Sequence, residues 1–188
     1  MELTKEQIVK NTKKYLSTGK KFGVLPEELL TFLGGELIKA PATTKVKSYN
    51  AFEGGLIDHI LRVMKKAYQI NETLLPEMQV SMESLVKVVY LHQLGKVKLF
   101  IPNESQWHRE NQGKMYNFNE DLVSMRVGER SAYYALNFGV KLLDEEYAAI
   151  VNYDKIDDAQ AEWYNSTLGD VLKMATKLAI IEAKFLAK

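Results

Sequence analysis

The sequence predicts an all-α protein, a helical bundle that carries a small β-hairpin insertion. Apolar residues recur at the 3.6-residue period of a helix through most of the 188 residues. One stretch, SQWHRENQGKMYNFN, instead alternates aromatic and polar residues around a glycine, which is typical of a hairpin. A chain of this length is expected to form a single domain, residues 1–188, with a substantial buried core.

The N-terminal helices are predicted within residues 1–37. Thr4, followed by Gln7, is a typical N-cap for the first helix. Pro26 begins a second helix through PEELLTFL, which Gly34 and Gly35 end. The segment IKAPATTKVKSYN, residues 38–50, is polar and β-branched, so an irregular surface segment is expected there.

Three predicted helices follow. The first begins at Gly55 and is closed by Pro76, with an apolar stripe of Leu56, Ile60, Val63, Met64 and Ala67. The second carries Leu85, Val88, Val89 and His92 on one face. Beyond the insertion, predicted at residues 99–118, a helix through GERSAYYALNF ends at the C-cap Gly139.

The last two predicted helices complete the bundle. One begins at Asp144, where three successive acidic residues suit the N-terminal end of the helix dipole. The other runs from Thr167 to the end of the sequence. Its predicted buried stripe consists of Leu168, Val171, Leu172, Ala175, Leu178 and Ala179.

Composition excludes several classes of protein. The 25 basic and 24 acidic residues give a formal net charge of +1, which argues against general nucleic-acid or membrane-surface binding. The absence of cysteine excludes disulfides and thiolate metal ligands. No apolar run approaches the roughly 18 residues of a membrane span, and the N-terminus has no signal-peptide pattern. A cytoplasmic protein without membrane association is expected.

Two of the three histidines fall on apolar helix faces. His59 shares a face with Leu56, and His92 shares a face with Leu85. A single histidine in such a position is more often structural than functional. Two of them on facing helices, one followed by a polar residue and then Gly-Lys, favour a common site. His108 lies in the predicted hairpin, where we expect it to be exposed and without a function.

The two histidine segments, AFEGGLIDHILRV and VVYLHQLGKVKLF, resemble the motifs of the HD-domain metal-dependent phosphohydrolases. The resemblance continues through YNFNEDLVSMRVGERSAYYALNFGVKLLDEEYAAIV and covers residues 44–182 in register. It is strongest to a subgroup common in bacterial and phage genomes. It implies an HD-domain-like bundle, in the cytoplasm of a bacterium or a phage-infected host. It also implies a divalent metal that polarises a phosphate and activates water.

The resemblance also implies a degenerate metal site. His59 and His92 match two metal-binding histidines of the family. Other ligand positions are changed: Gln93 and Thr176 stand for aspartates, and Val127 and Tyr153 stand for histidines. Because a hard cation needs carboxylate charge, the site is expected to hold no metal, or Mn, Fe, Ni or Mg only weakly.

Three aspartates near these positions are possible replacement ligands. Asp58 and Asp170 are expected to face away from the matched positions. Asp58 is adjacent to His59, and Asp170 is six residues, about 240° of helix rotation, before Thr176. Asp154, next to Tyr153, stays a candidate.

The remaining polar residues at matched positions define a candidate ligand site. Its members are Gln93, Lys96, Arg126, Glu129, Arg130 and Tyr153. A pocket that has lost carboxylates but kept Lys and Arg favours anions such as phosphate. The alternative is that Arg126 and Arg130 lie on a solvated helix face, and that Lys96 is only a charge at a helix C-terminus.

Three functions stay open. The favoured one is a catalytically impaired HD-domain protein that binds a phosphorylated ligand or nucleotide, or acts in regulation. The second is an active phosphohydrolase acting on a nucleotide or phosphodiester, in which Lys96 or Arg130 stabilises charge on the phosphoryl oxygens. The third is an interaction module whose insertion presents Trp107, Tyr116 and Phe118 to a protein partner. Homo-oligomerisation is also left open.

Overall fold

The computed structural model describes residues 2–154 and 166–186, and these residues are mostly helical. The helices are α1 (Lys5–Lys21), α2 (Glu27–Leu33), α3 (Glu36–Lys39), α4 (Gly55–Thr73), α5 (Met82–Leu91), α6 (Gln106–Gln112), α7 (Val127–Asn137), α8 (Asp144–Asn152) and α9 (Thr167–Leu186). Short 3-10 turns span Pro76–Met78 and Leu94–Lys96. The strands β1 (Phe100–Pro102) and β2 (Tyr116–Phe118) form one antiparallel pair. The predicted all-α class with a small two-stranded element is confirmed.

Helix α1 is fixed at both its start and its middle. At the start, Thr4 and Gln7 exchange hydrogen bonds between side chain and backbone, which confirms the predicted cap. In the middle, the ring of Tyr15 stacks on that of Tyr90 with centroids 4.7 Å apart. The Tyr15 hydroxyl also donates to the Tyr90 carbonyl oxygen at 3.0 Å. This pair of contacts joins α1 to α5 inside the core.

The predicted helix boundaries hold with small corrections. Helix α2 ends at Leu33, and its C-cap is Gly34, whose φ of +56° favours glycine. The segment after it is not irregular from residue 38, because α3 continues to Lys39. Helix α4 ends at Thr73, and Pro76 begins a 3-10 turn rather than closing the helix. Residues 40–54 are irregular apart from one bridge between Lys45 and Lys114.

The core lies between α4, α5, α8 and α9, with α7 packed against the turn at Leu94–Lys96. That last contact depends on a glycine. A β-carbon at position 95 would collide with the Val127 carbonyl oxygen and lie 2.9 Å from the β-carbon of Arg130. The Ser131 hydroxyl supports the same contact, since it accepts from the Gly95 N–H at 2.8 Å and its single proton lies between the carbonyl oxygens of Val127, at 2.7 Å, and His92, at 3.0 Å. The sequence after α5 is therefore held tightly against α7.

The insertion differs from the predicted hairpin. Its two strands pair, with Phe100 opposite Phe118, but the residues between them form helix α6 instead of a turn. Ser105 caps α6, and Gly113 ends it in the left-handed conformation. His108 lies on this helix and is half-buried, so the prediction that it is exposed was wrong. The alternating residues Tyr116 to Phe118 do form the strand β2, whereas the residues before Gly113 form the helix.

Helix α9 begins at Thr167 as predicted, and its predicted extension from Leu186 to residue 188 lies outside the described residues. Five members of its predicted buried stripe are buried, but Leu178 is 45% exposed. Leu178 therefore lies at the edge of the buried face, only about 20° of helix rotation from the buried Val171, and the chain leaves it exposed. No helix within residues 2–154 and 166–186 combines the length and apolarity needed to cross a bilayer.

Candidate functional site

The two predicted core histidines meet in a buried group of side chains, which we call the central polar cluster. Its members are Tyr49, His59, His92, Gln93, Lys96 and Tyr153. Helix α4 carries His59, and the sequence from the end of α5 into the 3-10 turn carries His92, Gln93 and Lys96. Tyr153 follows α8. Five members are buried and Tyr49 is half-buried.

Lys96 uses all of its donors inside the protein. Its ammonium group donates to the Ala42 carbonyl oxygen at 2.7 Å, to the Gln93 amide oxygen at 2.9 Å and to the Tyr49 hydroxyl at 3.2 Å. A protonated lysine has three N–H donors, so this set is complete. None of the three acceptors is a carboxylate. The charge is therefore held by neutral oxygens in the core.

Gln93 connects the lysine to the first histidine. Since its oxygen accepts from Lys96, its amide nitrogen is the donor that faces His59 Nε2, at 3.4 Å. That contact leaves the proton of His59 on Nδ1, which is buried and has no hydrogen-bond partner among the described residues. The ring of Tyr49 lies against the imidazole, with centroids 4.7 Å apart.

His92 is oriented by the backbone of its own helix. Its Nδ1–H donates to the Val89 carbonyl oxygen at 2.8 Å, so Nε2 carries a lone pair. This Nε2 is buried and has no hydrogen-bond partner within residues 2–154 and 166–186. The ring of Tyr153 meets the imidazole edge-on at 4.9 Å. The sequence predicts His92 inside the helix, but α5 ends at Leu91 and His92 is its C-cap.

Burial disfavours every positive charge in the cluster. Desolvation lowers the pKa of Lys96 to about 7, although Asp154 acts in the opposite direction. Desolvation lowers the pKa of His92 to about 3, partly offset by its bond to Val89 and reinforced by Lys96. The pKa of His59 also lies well below 6.5, through burial and then through repulsion by Lys96. Both histidines are therefore neutral at pH 7.

The donor set does not fit a divalent metal. A hard cation needs carboxylate oxygens, and no three His, Asp or Glu side chains in the described part of the chain lie close enough together to hold one. The Gln93 oxygen, at the position matched to an aspartate, already accepts from the Lys96 ammonium. Asp58 faces elsewhere, as predicted, and accepts from Asn50 and Arg62.

Other matched positions add no charge to this donor set. Thr176 is buried, and its hydroxyl has no hydrogen-bond partner among the described residues. Val127 begins α7 with an apolar side chain, as the sequence states. Asp154 is exposed and acts on Lys96 through its charge. Thr176 and Val127 therefore restore no carboxylate at their positions, and Asp154, although its charge acts on Lys96, is exposed to solvent.

The structure separates the predicted ligand site into two parts. Gln93, Lys96 and Tyr153 belong to the central polar cluster, whereas the side-chain hydrogen bonds of the other three residues lie around the start of α7. There Glu129 accepts from the backbone N–H of Arg126 at 3.2 Å, and both side chains are exposed. Arg130 is buried, and its guanidinium donates to the Val123 carbonyl oxygen. The solvated-face alternative is right for Arg126 and wrong for Arg130. Lys96, expected in the same alternative to be only a charge at a helix C-terminus, is buried and bound inside the protein.

Sequence reasoning missed Tyr49 and the Ala42 carbonyl, which supply two of the three Lys96 acceptors. Both belong to the segment expected to be an irregular surface stretch. The signal that could have found them was Tyr49 itself, an aromatic residue in a polar segment directly before the first histidine motif. Its contact with Lys96, 47 positions later in the sequence, leaves no periodic trace.

No family model, curated protein or solved structure matches the chain significantly.

Proposed function

We propose that this chain is a degenerate HD-domain protein, impaired as a metal-dependent hydrolase, that acts as a binding or regulatory protein. The observation that carries this proposal is the saturated Lys96 ammonium beside two buried neutral histidines. In an active centre of the family the cation would be a metal held by carboxylates. Here a lysine of the chain, whose pKa is about 7, supplies the positive charge in its protonated form.

Electrostatics supports the impairment. A divalent ion at the Gln93 oxygen would approach the Lys96 ammonium, which lies 2.9 Å from that oxygen. Like charges at such a distance repel strongly in a low-dielectric interior, and no carboxylate of the cluster offsets the repulsion. His92 Nε2 has a lone pair without a hydrogen-bond partner among the described residues, but one imidazole nitrogen without charged co-ligands binds a hard cation weakly.

The same geometry favours regulation or partner binding over phosphate capture at Lys96. A phosphate oxygen would have to displace Ala42, Tyr49 or Gln93 from the ammonium, because all three N–H donors are in use. Arg130 is buried and donates to the Val123 carbonyl oxygen, and its Nε has no hydrogen-bond partner among the described residues. Of the predicted cationic residues, Arg126 alone has an exposed side chain.

Metal content tests the proposal. The protein is purified after growth with added manganese, iron and nickel, and its metal is measured by inductively coupled plasma mass spectrometry. We expect far less than one metal per chain, in the wild type and in His92→Ala alike. About one metal per chain, lost in His92→Ala but kept in the control His108→Ala, would overturn the proposal. Circular dichroism confirms that each variant is folded.

A second candidate function draws on the insertion. Trp107 is 59% exposed and Phe118 is 62% exposed, and such aromatics are common anchors of protein interfaces. Tyr116 is partly buried and is therefore less accessible to a partner than the other two aromatic residues. If the insertion binds a partner protein, a chemical crosslink between the two should form with the wild type and be lost in Trp107→Ala with Phe118→Ala. The melting temperature of the double variant should stay unchanged. A crosslink that persists in the double variant argues against this candidate.

A further inference from the structure

Helix α9 has a second apolar face that points outward. Met174, Leu178, Ile181 and Phe185 are between 45% and 74% exposed. Their spacing of four, three and four residues places them within an arc of about 60° on one side of the helix. We call these four residues the α9 stripe. It is distinct from the buried face, which is centred on Leu172, Ala175 and Ala179.

A buried apolar face and a second, exposed apolar face on one helix are typical of a helix that packs against neighbours on two sides. The inner face of α9 packs on α4 and α8. The α9 stripe repeats the alternating three- and four-residue spacing by which one helix packs along another. Single exposed apolar residues are ordinary, but four in one continuous row mark an interaction surface. Within residues 2–154 and 166–186 these four side chains stay exposed.

The charges beside the α9 stripe are mainly positive. Lys177 and Lys184 are exposed on one flank of the helix. On the other flank Glu182 is bound by Arg62 at 3.2 Å and by Lys66, and Lys65 also lies close enough to lower its pKa. The carboxylate on that flank is therefore neutralised within the chain. Asp170 is exposed on the lysine flank but lies one turn before Met174, beyond the end of the stripe. A second copy aligned over the stripe itself would bring lysines against lysines.

We infer that the α9 stripe docks an amphipathic helix of a partner protein, one whose apolar seam is flanked by glutamate or aspartate. Apolar side chains of that helix would cover Leu178 and Ile181 and their neighbours. Its carboxylates would lie beside Lys177 and Lys184, which fixes its orientation and excludes basic helices. The inference deepens the binding role proposed above and rests on it, but its test is independent of metal content.

Two synthetic peptides provide the probe. Both carry the same leucine heptads, one with glutamate and one with lysine at the flanking positions, and both are labelled for fluorescence anisotropy. We expect the glutamate peptide to bind at least ten-fold more tightly than the lysine peptide, and less tightly as salt is raised. Leu178→Ser with Ile181→Ser should weaken binding at least ten-fold. The matched control, Val9→Ser with Leu143→Ser, removes two well-exposed apolar residues elsewhere and should bind as wild type does.

A charge reversal makes the test sharper. Lys177→Glu with Lys184→Glu should reverse the preference, so that the lysine peptide binds more tightly. Equal binding of the two peptides to the wild type would overturn the inference. Concentration-dependent dimerisation in sedimentation that is lost in Leu178→Ser with Ile181→Ser would also overturn it, in favour of a second copy. So would stripe-dependent binding to vesicles containing phosphatidylserine, in favour of a membrane.

Discussion

The ammonium group of Lys96 donates to the amide oxygen of Gln93 at 2.9 Å, and the amide nitrogen of Gln93 in turn faces His59. A chain of hydrogen bonds thus runs from a buried cation to a buried neutral imidazole. The order of donors and acceptors in this chain fixes which histidine nitrogen carries the proton. It also makes the stability of the protein depend on pH in two separate ranges.

The first range is alkaline. The pKa of Lys96 is about 7 in the folded protein and 10.5 in its ordinary state, so between these values the unfolded chain binds the extra proton. The lysine contribution to unfolding free energy therefore rises with pH, by about 1.4 kcal/mol per unit. Lys96→Met should remove this rise, measured by urea unfolding at pH 7 to 10. Lys65→Met, at an exposed lysine, should keep it, and a slope that survives in Lys96→Met would refute the assignment.

The second range is acidic. His92 has a folded pKa of about 3 against an ordinary 6.5, and that of His59 is also depressed. Below pH 6.5 the unfolded chain takes up protons that the folded chain refuses, so stability falls as pH falls. His92→Asn, which can keep the donor to Val89, should flatten the loss of melting temperature between pH 6.5 and 4. His108→Asn serves as the control, and an identical slope in both variants would contradict the prediction.

Gln93→Asp tests whether one restored carboxylate rebuilds a metal site. We expect the new carboxylate to pair with the Lys96 ammonium, because that group already lies at hydrogen-bond distance from position 93. The pairing should raise the pKa of Lys96, so that the alkaline rise in stability begins at a higher pH. Added Mn²⁺ should leave the melting temperature of the variant unchanged. A rise of several degrees with Mn²⁺ would show that the carboxylate binds metal in spite of the lysine.

Gly95→Ala tests the contact between the 3-10 turn and α7. The added β-carbon collides with the Val127 carbonyl oxygen, which belongs to a helix backbone and cannot move aside cheaply. Overpacking of this kind costs about 1–3 kcal/mol, or a drop of roughly 3–10 °C in melting temperature. Gly35→Ala is the matched control, since its β-carbon would meet open space at negative φ. Equal melting temperatures for the two variants would show that this close approach does not limit the residue at position 95.

Local sequence signals predict most of the helices because their causes are local. The Thr4–Gln7 capping box and the glycine at position 34 act within one turn of the backbone. The insertion is predicted less well, since Ser105 can cap a short helix where alternation alone suggests a strand. The sequence places Leu178 on the buried face because it is apolar and nearly in phase with it. Periodicity locates an apolar stripe but does not say whether the chain itself covers it.

The sequence predicts that the two histidines of the candidate site are buried, but it does not predict the direction of the lysine side chain. His59 and His92 stand out as polar residues on apolar helix faces, and both are fully buried. The direction of the Lys96 side chain depends on Ala42 and Tyr49, which are distant in sequence and lie in an irregular segment. A long flexible side chain can reach solvent or the core from the same position. The hydrogen-bond partners that decide between solvent and core are brought to Lys96 by the tertiary fold.

The stack of Tyr15 on Tyr90 limits which fragments of the chain can fold. Because α1 places a ring and a hydroxyl donor into the interior of α5, the N-terminal helices are part of the cooperative unit and not a detachable arm. Amide hydrogen exchange should then show α1 and α5 opening together at one free energy. A fragment that begins at residue 44 would expose the face of Tyr90, and we expect it to be recovered as an aggregate.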